Sequence, residues 1–240
     1  MKNSKKAKEK FLETQRLFKR MSHEICIVVE SYYIWRTLTF ARSILEVSQE
    51  QAERNAKLMS LHRYFFVPTE QSHLQTFVIG LIKFFDKDPR ALSINRLISE
   101  IEQNKNIFTA KVLREVYPDL ANIGAIKDDY VPINQSIIGH IKKLQKKHKK
   151  LISSLKDIRD KQFAHTDMKT IKGTFVPLEI EALIEAIQEI FNKLSSTFDL
   201  SSTTWDHLRD DSIRNTQFLL ENLERGEAQR EEELKKKYGY

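Results

Sequence analysis

The sequence predicts an all-α fold, a multi-helix bundle with a C-terminal helical appendage, and three observations carry that prediction. Glycine and proline together supply 11 of 240 residues, too few for turn-dense sandwiches and barrels or for glycine-cradled nucleotide folds. Hydrophobic residues make up 40% of the chain and charged residues 30%, a balance that supports a packed core and excludes a disordered polyelectrolyte. Apolar side chains recur at helical spacing through most of the sequence, the pattern of helices that each turn one face to a core.

Taken in order, residues 5–46 carry Phe11, Leu12, Phe18, Met21, Ile25, Val28, Val29, Tyr32 and Trp35 at that spacing, as one long helix or as two broken near Ser22. Ser48 followed by Gln51 matches a capping box and opens a helix to about residue 64. Pro68 is expected to interrupt, and a new helix over residues 70–85 presents Leu74, Phe77, Val78, Leu81, Ile82 and Phe85. The turn DKDPRA follows, then helices from Ser93 to about Gln103 and near residues 108–115. Residues 117–133, with Pro118, Gly124 and Pro132, read as the longest loop. A long helix is expected from Asn134 to about His165, and another over residues 178–198 with Leu183, Ile187, Ile190, Phe191 and Leu194 inward. The last segment has a half-apolar helix with Ile213, Phe218, Leu219 and Leu223, ending in a polar tail that lies on the surface or frays. These elements suggest a basic helical N-terminal extension over residues 1–24, a helical bundle over 25–200 and the appendage over 201–240.

Net charge is +7, concentrated in two stretches. Residues 1–20 hold eight Lys or Arg against Glu9 and Glu13, and residues 142–161 hold nine against Asp157 and Asp160. Such blocks suit phosphate, in nucleic acid or nucleotide, or an acidic protein partner; the alternative is that lysine-rich faces keep the chain in solution. Cys26 is the one cysteine, so no internal disulfide can form and a cytoplasmic location is expected. No apolar run approaches the ~20 residues that span a bilayer, so no membrane is expected. Phosphate-loop, dinucleotide and HExxH patterns are absent and the histidines show no ligand pairing, so neither metal nor cofactor is expected.

On an ideal helix, residues 137–165 form one apolar stripe through Ile141, Leu144, Leu151, Ile152, Leu155 and Ile158. Lys142, Lys143, Lys146, Lys147, Lys149, Lys150 and Lys161 fall on the opposite face. Arg159 lands inside the stripe, His165 at its edge, and His148 on it as a packing residue. A guanidinium on an apolar face requires a partner. Either Arg159 makes a buried ion pair with a carboxylate such as Asp86, or the face lines a cleft where the Arg meets phosphate and His165 moves protons. Asp160, four residues after Lys156, fits a surface ion pair. Tyr32, Tyr33, Trp35 and Phe40 suit core or dimer packing more than stacking on RNA bases.

The segment RDKQFAH, Arg159 to His165, resembles the Arg-x(4–6)-His motif of the HEPN superfamily, and RDKQFAHTD resembles its abortive-infection branch. The upstream FDKDPRALSINRLISEI resembles the helix-turn-helix that precedes this motif. The resemblance covers about residues 25–198. It implies a HEPN-like bundle that forms a homodimer, and a metal-independent endoribonuclease acting as a toxin or antiphage effector. The alternative, second to the enzyme, is a non-catalytic HEPN-like module that binds nucleotide, RNA or protein. In the enzyme, Arg159 would stabilise the scissile phosphate, His165 would be general acid or base, and Asp160 would orient one of them. The lysines above, with Lys156, would hold RNA. A cognate antitoxin or another defence protein is a further expected partner.

Overall fold

The structure, a computed structural model, describes residues 2–127, 135–164, 175–198 and 200–239. Among these residues there are helices and no strand: α1 (Lys2–Phe40), α2 (Gln49–Leu61), α3 (Arg63–Phe84), α4 (Ile94–Gln103), α5 (Ala110–Val116), α6 (Pro118–Asn122), α7 (Gln135–Lys147), α8 (Lys149–Ile158), α9 (Pro177–Phe198) and α10 (Asp206–Tyr238). A 3-10 turn, Lys105–Ile107, precedes α5, and a π-helical turn, Arg159–Ala164, follows α8. The all-α expectation holds.

Several boundaries differ from the sequence expectation, each for a local reason. α1 runs unbroken through Ser22, whose hydroxyl donates to the Phe18 carbonyl at 3.1 Å and so adds to the helix instead of ending it. Pro68 lies inside α3. It is exposed and only two turns from the helix start, so water can serve the carbonyl its missing N–H leaves free. The segment read as a loop contains α6, opened by Pro118 at its first position and followed by Gly124 at φ 69°. The polar C-terminal tail stays helical to Tyr238, where Gly239 in the left-handed region donates its N–H to Lys235.

The chain divides into two compact units, one of residues Met1–Cys26 with Val78–Thr204, the other of Ile27–Phe77 with Trp205–Tyr240. The sequence reading placed its divisions at 24/25 and 200/201; the structure groups 27–77 with the C-terminal helix instead. In the first unit, α9 is the central element, with Ile180, Leu183, Ile187, Ile190, Phe191, Leu194 and Phe198 all buried. Phe18 of α1 stacks on Phe191 at 5.4 Å and on Phe198 at 5.3 Å, and Phe11 lies 5.6 Å from Phe108. Each such pair adds about 0.5–1.5 kcal/mol beyond the area it buries. α1 therefore enters this core from Phe11 onward, and ahead of it Lys8 and Lys10 are engaged by the Glu115 carbonyl and the Glu100 carboxylate.

The second unit packs Leu38, Ala41, Leu58, Met59, Phe66 and Leu220 around one another. Asn55, buried among them, donates to the Ala41 carbonyl at 2.7 Å just past the C-terminus of α1. Tyr32 and Tyr33 are buried, and Tyr32 sets its ring edge-on to Phe77 at 5.3 Å. These aromatics are packing residues, not free platforms for bases. No helix among the described residues is long and apolar enough to cross a membrane.

Candidate functional site

The lysine-rich segment occupies α7, α8 and the π-helical turn in the first unit. α7 buries Ile138 and Ile141, and α8 buries Leu151, Leu155 and Ile158, so the apolar stripe faces the core. Opposite it, Lys142, Lys143, Lys146, Lys147, Lys149, Lys150 and Lys161 are exposed, and Lys156 is half-buried. Lys142 pairs with Glu102 at 3.2 Å. α7 meets α9, where His140 Nε2 lies 2.7 Å from Glu189 Oε1.

The expected single helix is interrupted twice. The first break is at His148, whose backbone (φ −95°, ψ 9°) separates α7 from α8. Its ring is buried, as the stripe position suggested, and Nε2 has no hydrogen-bond partner. Burial, and then the charge of Lys147, hold its pKa below the usual histidine value. The second break is the six-residue π-helical turn that begins at Arg159. Such turns insert a residue into the helical register, and they concentrate at functional sites.

Arg159 itself keeps α-helical geometry (φ −53°, ψ −52°) with its N–H bonded to the Leu155 carbonyl, so the inserted residue lies beyond it. Arg159 is not sealed in the core: its side chain is 34% exposed. Its partner is not Asp86, which accepts the Asp88 backbone N–H at 3.0 Å. Nε of Arg159 donates to Asp160 Oδ1 at 2.7 Å, and a terminal nitrogen lies at the same distance from that oxygen. A guanidinium has five N–H donors, so this pairing orients the group and leaves donors for a second anion. Asp160 thus goes to Arg159 and not to Lys156. His165 lies outside the described residues.

Beside the α7–α8 lysines is a cavity of about 370 Å³, lined in part by Lys87, Asn95, Gln145, Lys146, Lys149 and Lys156. Of these, Lys87, Asn95 and Gln145 were not expected from the sequence. Lys87 sits in the DKDPRA turn, remote in sequence from α7, and no one-dimensional signal brings it to this place. Among the described residues, no group of three or more His, Cys, Asp or Glu could hold a metal ion.

The HEPN AbiU2 family model matches residues 11–219, most of the chain. The chain belongs to the AbiU2 family of HEPN domains. Neither a curated protein nor a solved structure matches it. Membership in this abortive-infection-type HEPN family accounts for the helical architecture, and the match spans both the RDKQFAH segment and most of the two compact units.

Proposed function

We propose that this HEPN protein is a metal-independent endoribonuclease, a toxin or antiphage effector that works as a cytoplasmic homodimer. The observation that carries this reading is Arg159, partly exposed at the start of a π-helical turn and oriented by Asp160, on a segment whose lysines, Lys142 apart, make no ion pair among the described residues. Cleaving RNA at this site requires a base that takes the 2′-hydroxyl proton, attack of that oxygen on phosphorus, and departure of the 5′-oxygen with a proton from an acid. The products are a 2′,3′-cyclic phosphate and a free 5′-hydroxyl. One chain offers His165 once; a two-fold dimer would supply it twice, as base and as acid. Arg159 stabilises the charge that develops on the phosphoryl oxygens, and Asp160 positions Arg159. RNA is the partner of the lysine face, and a cognate antitoxin or defence protein is the partner that restrains the activity.

The Arg159–Asp160 pair supports a second reading, a non-catalytic module that binds RNA, nucleotide or protein, because the neighbouring carboxylate offsets the guanidinium's charge and leaves a group that can hold a ligand without stabilising a transition state. The deciding experiment incubates the purified protein with mixed RNA in EDTA. The expected result is fragments ending in 2′,3′-cyclic phosphate, with Arg159→Ala and His165→Ala each slowing cleavage by about 10²–10⁴-fold. Binding of RNA with no cleavage by the native protein would establish the module instead.

A further inference from the structure

The lysine-rich face is not uniform. Lys146, Lys149 and Lys156 line the 370 Å³ cavity, whereas Lys143, Lys147 and Lys150, on the same two helices, do not. Lys87 joins the first group from the turn after α3. None of these four lysines makes an ion pair among the described residues, in contrast to Lys142, held by Glu102. No carboxylate lines the cavity. The acids flanking Lys87 are turned elsewhere: Asp86 accepts the Asp88 backbone N–H, and Asp88 binds Arg90 through both carboxylate oxygens. Four unpaired ammonium groups around one concavity repel one another, and an anion relieves that repulsion.

The wall between the lysines is ordered by amides. Asn95 Nδ2 donates to the carbonyls of Phe85 and Asp86 at the end of α3, at 3.3 and 3.0 Å, and its Oδ1 accepts from Gln145 Nε2 at 3.1 Å. This brace ties the Lys87 turn to α4 and α7, so the cavity is shaped before any ligand arrives. Its apolar contributors are Ile152 and Phe85, and Phe85 is buried. No exposed aromatic ring is present there to stack a base, so recognition must come from phosphate. Lys149 and Lys156 lie about 10 Å apart along α8, Lys146 precedes them across the His148 break, and Arg159 follows one turn after Lys156. That arrangement tracks a strand and does not enclose a single small anion.

We propose that this cavity is a phosphate-binding subsite that seats the backbone of single-stranded RNA next to Arg159, with Lys87, Lys146, Lys149 and Lys156 as its cations. The choice of RNA over other phosphate-bearing strands rests on the ribonuclease reading above; the phosphate chemistry does not. For a single strand, log K falls with log salt by about 0.7 for each phosphate neutralised.

The test measures binding of a fluorescent, fully 2′-O-methylated RNA, which cannot be cleaved, across a salt series. Replacing Lys146, Lys149 and Lys156 together by alanine is expected to weaken binding more than tenfold and reduce the salt slope by about 2. The matched triple at Lys143, Lys147 and Lys150, on the same lysine face but outside the cavity, should weaken binding and lower the salt slope by clearly less than the cavity triple does. Lys87→Ala, on another element and exposed, should weaken it several-fold and reduce the slope by about 0.7. Equal effects of the two triples, or no effect of Lys87→Ala, would overturn the proposal, as would full competition by adenosine monophosphate at equal phosphate concentration. Subsite-dependent binding without cleavage of natural RNA would refute only the ribonuclease reading. Cleavage with subsite-independent binding would refute only the subsite.

Discussion

His148 closes α7 with its imidazole buried and Nε2 unpartnered. Because burial and Lys147 lower its folded pKa, the unfolded chain takes up a proton first as pH falls. The stability this group contributes is present above the unfolded value of about 6.5 and is lost as pH drops through it toward the folded value. His73 is shifted the same way by burial. Melting temperatures should therefore be lower at pH 5.5 than at pH 7.5. His148→Leu should narrow that gap and raise stability at pH 7.5 by about 1 kcal/mol, since it removes a buried donor or acceptor that nothing satisfies. An unchanged gap would show that other groups govern the acid side. At this scale the sequence located His148 in the apolar stripe, because two breaks had not yet accumulated between it and the stripe's first residues. At Arg159 the helical register holds, but the side chain is partly exposed and the neighbouring Asp160 carboxylate takes its charge.

Helix starts were legible, since capping is a contact between residues three apart. Ser48, Ser93 and Thr109 each accept a backbone N–H from the third residue onward, at 3.2, 3.2 and 3.4 Å. The capping box at Ser48 is only half formed, because Gln51 Oε1, the atom that would accept the Ser48 N–H, accepts from Arg54 instead. Ser93 is fully buried, so its loss strands the Arg96 N–H away from water. Ser93→Ala is expected to cost about 1–2 kcal/mol in a denaturant melt, and Ser48→Ala, at an exposed helix start, less. Equal costs would mean that burial of the cap does not matter. Helix continuations were less legible than starts. Pro68 and Ser22 are both tolerated within helices, and whether a breaker breaks depends on what surrounds it in three dimensions.

At the scale of the molecule, the proposed chemistry needs two copies of the RDKQFAH segment in one groove. Sedimentation at micromolar concentration should give a mass near twice 28.3 kDa, and a monomer that still cleaves RNA would remove the two-histidine mechanism. The two compact units illustrate a different limit of sequence reading. Residues 27–77 and 205–240 form one unit although more than a hundred residues of the other lie between them. Composition shifts mark a boundary only where a unit is contiguous, and both α1 and α3 contribute to both units without any change in helical period.

What the amino-acid order determined alone is everything governed by near neighbours: helix as the only regular element among the described residues, the capped starts, the buried faces of α8 and α9, and the clustering of positive charge before Arg159. The family motif was readable for the same reason, being seven consecutive residues. Tertiary structure decided which lysines share a cavity and that Lys87 and Asn95 join them. Those outcomes depend on where separate helices meet, which is set by packing of the whole chain and which no local pattern encodes.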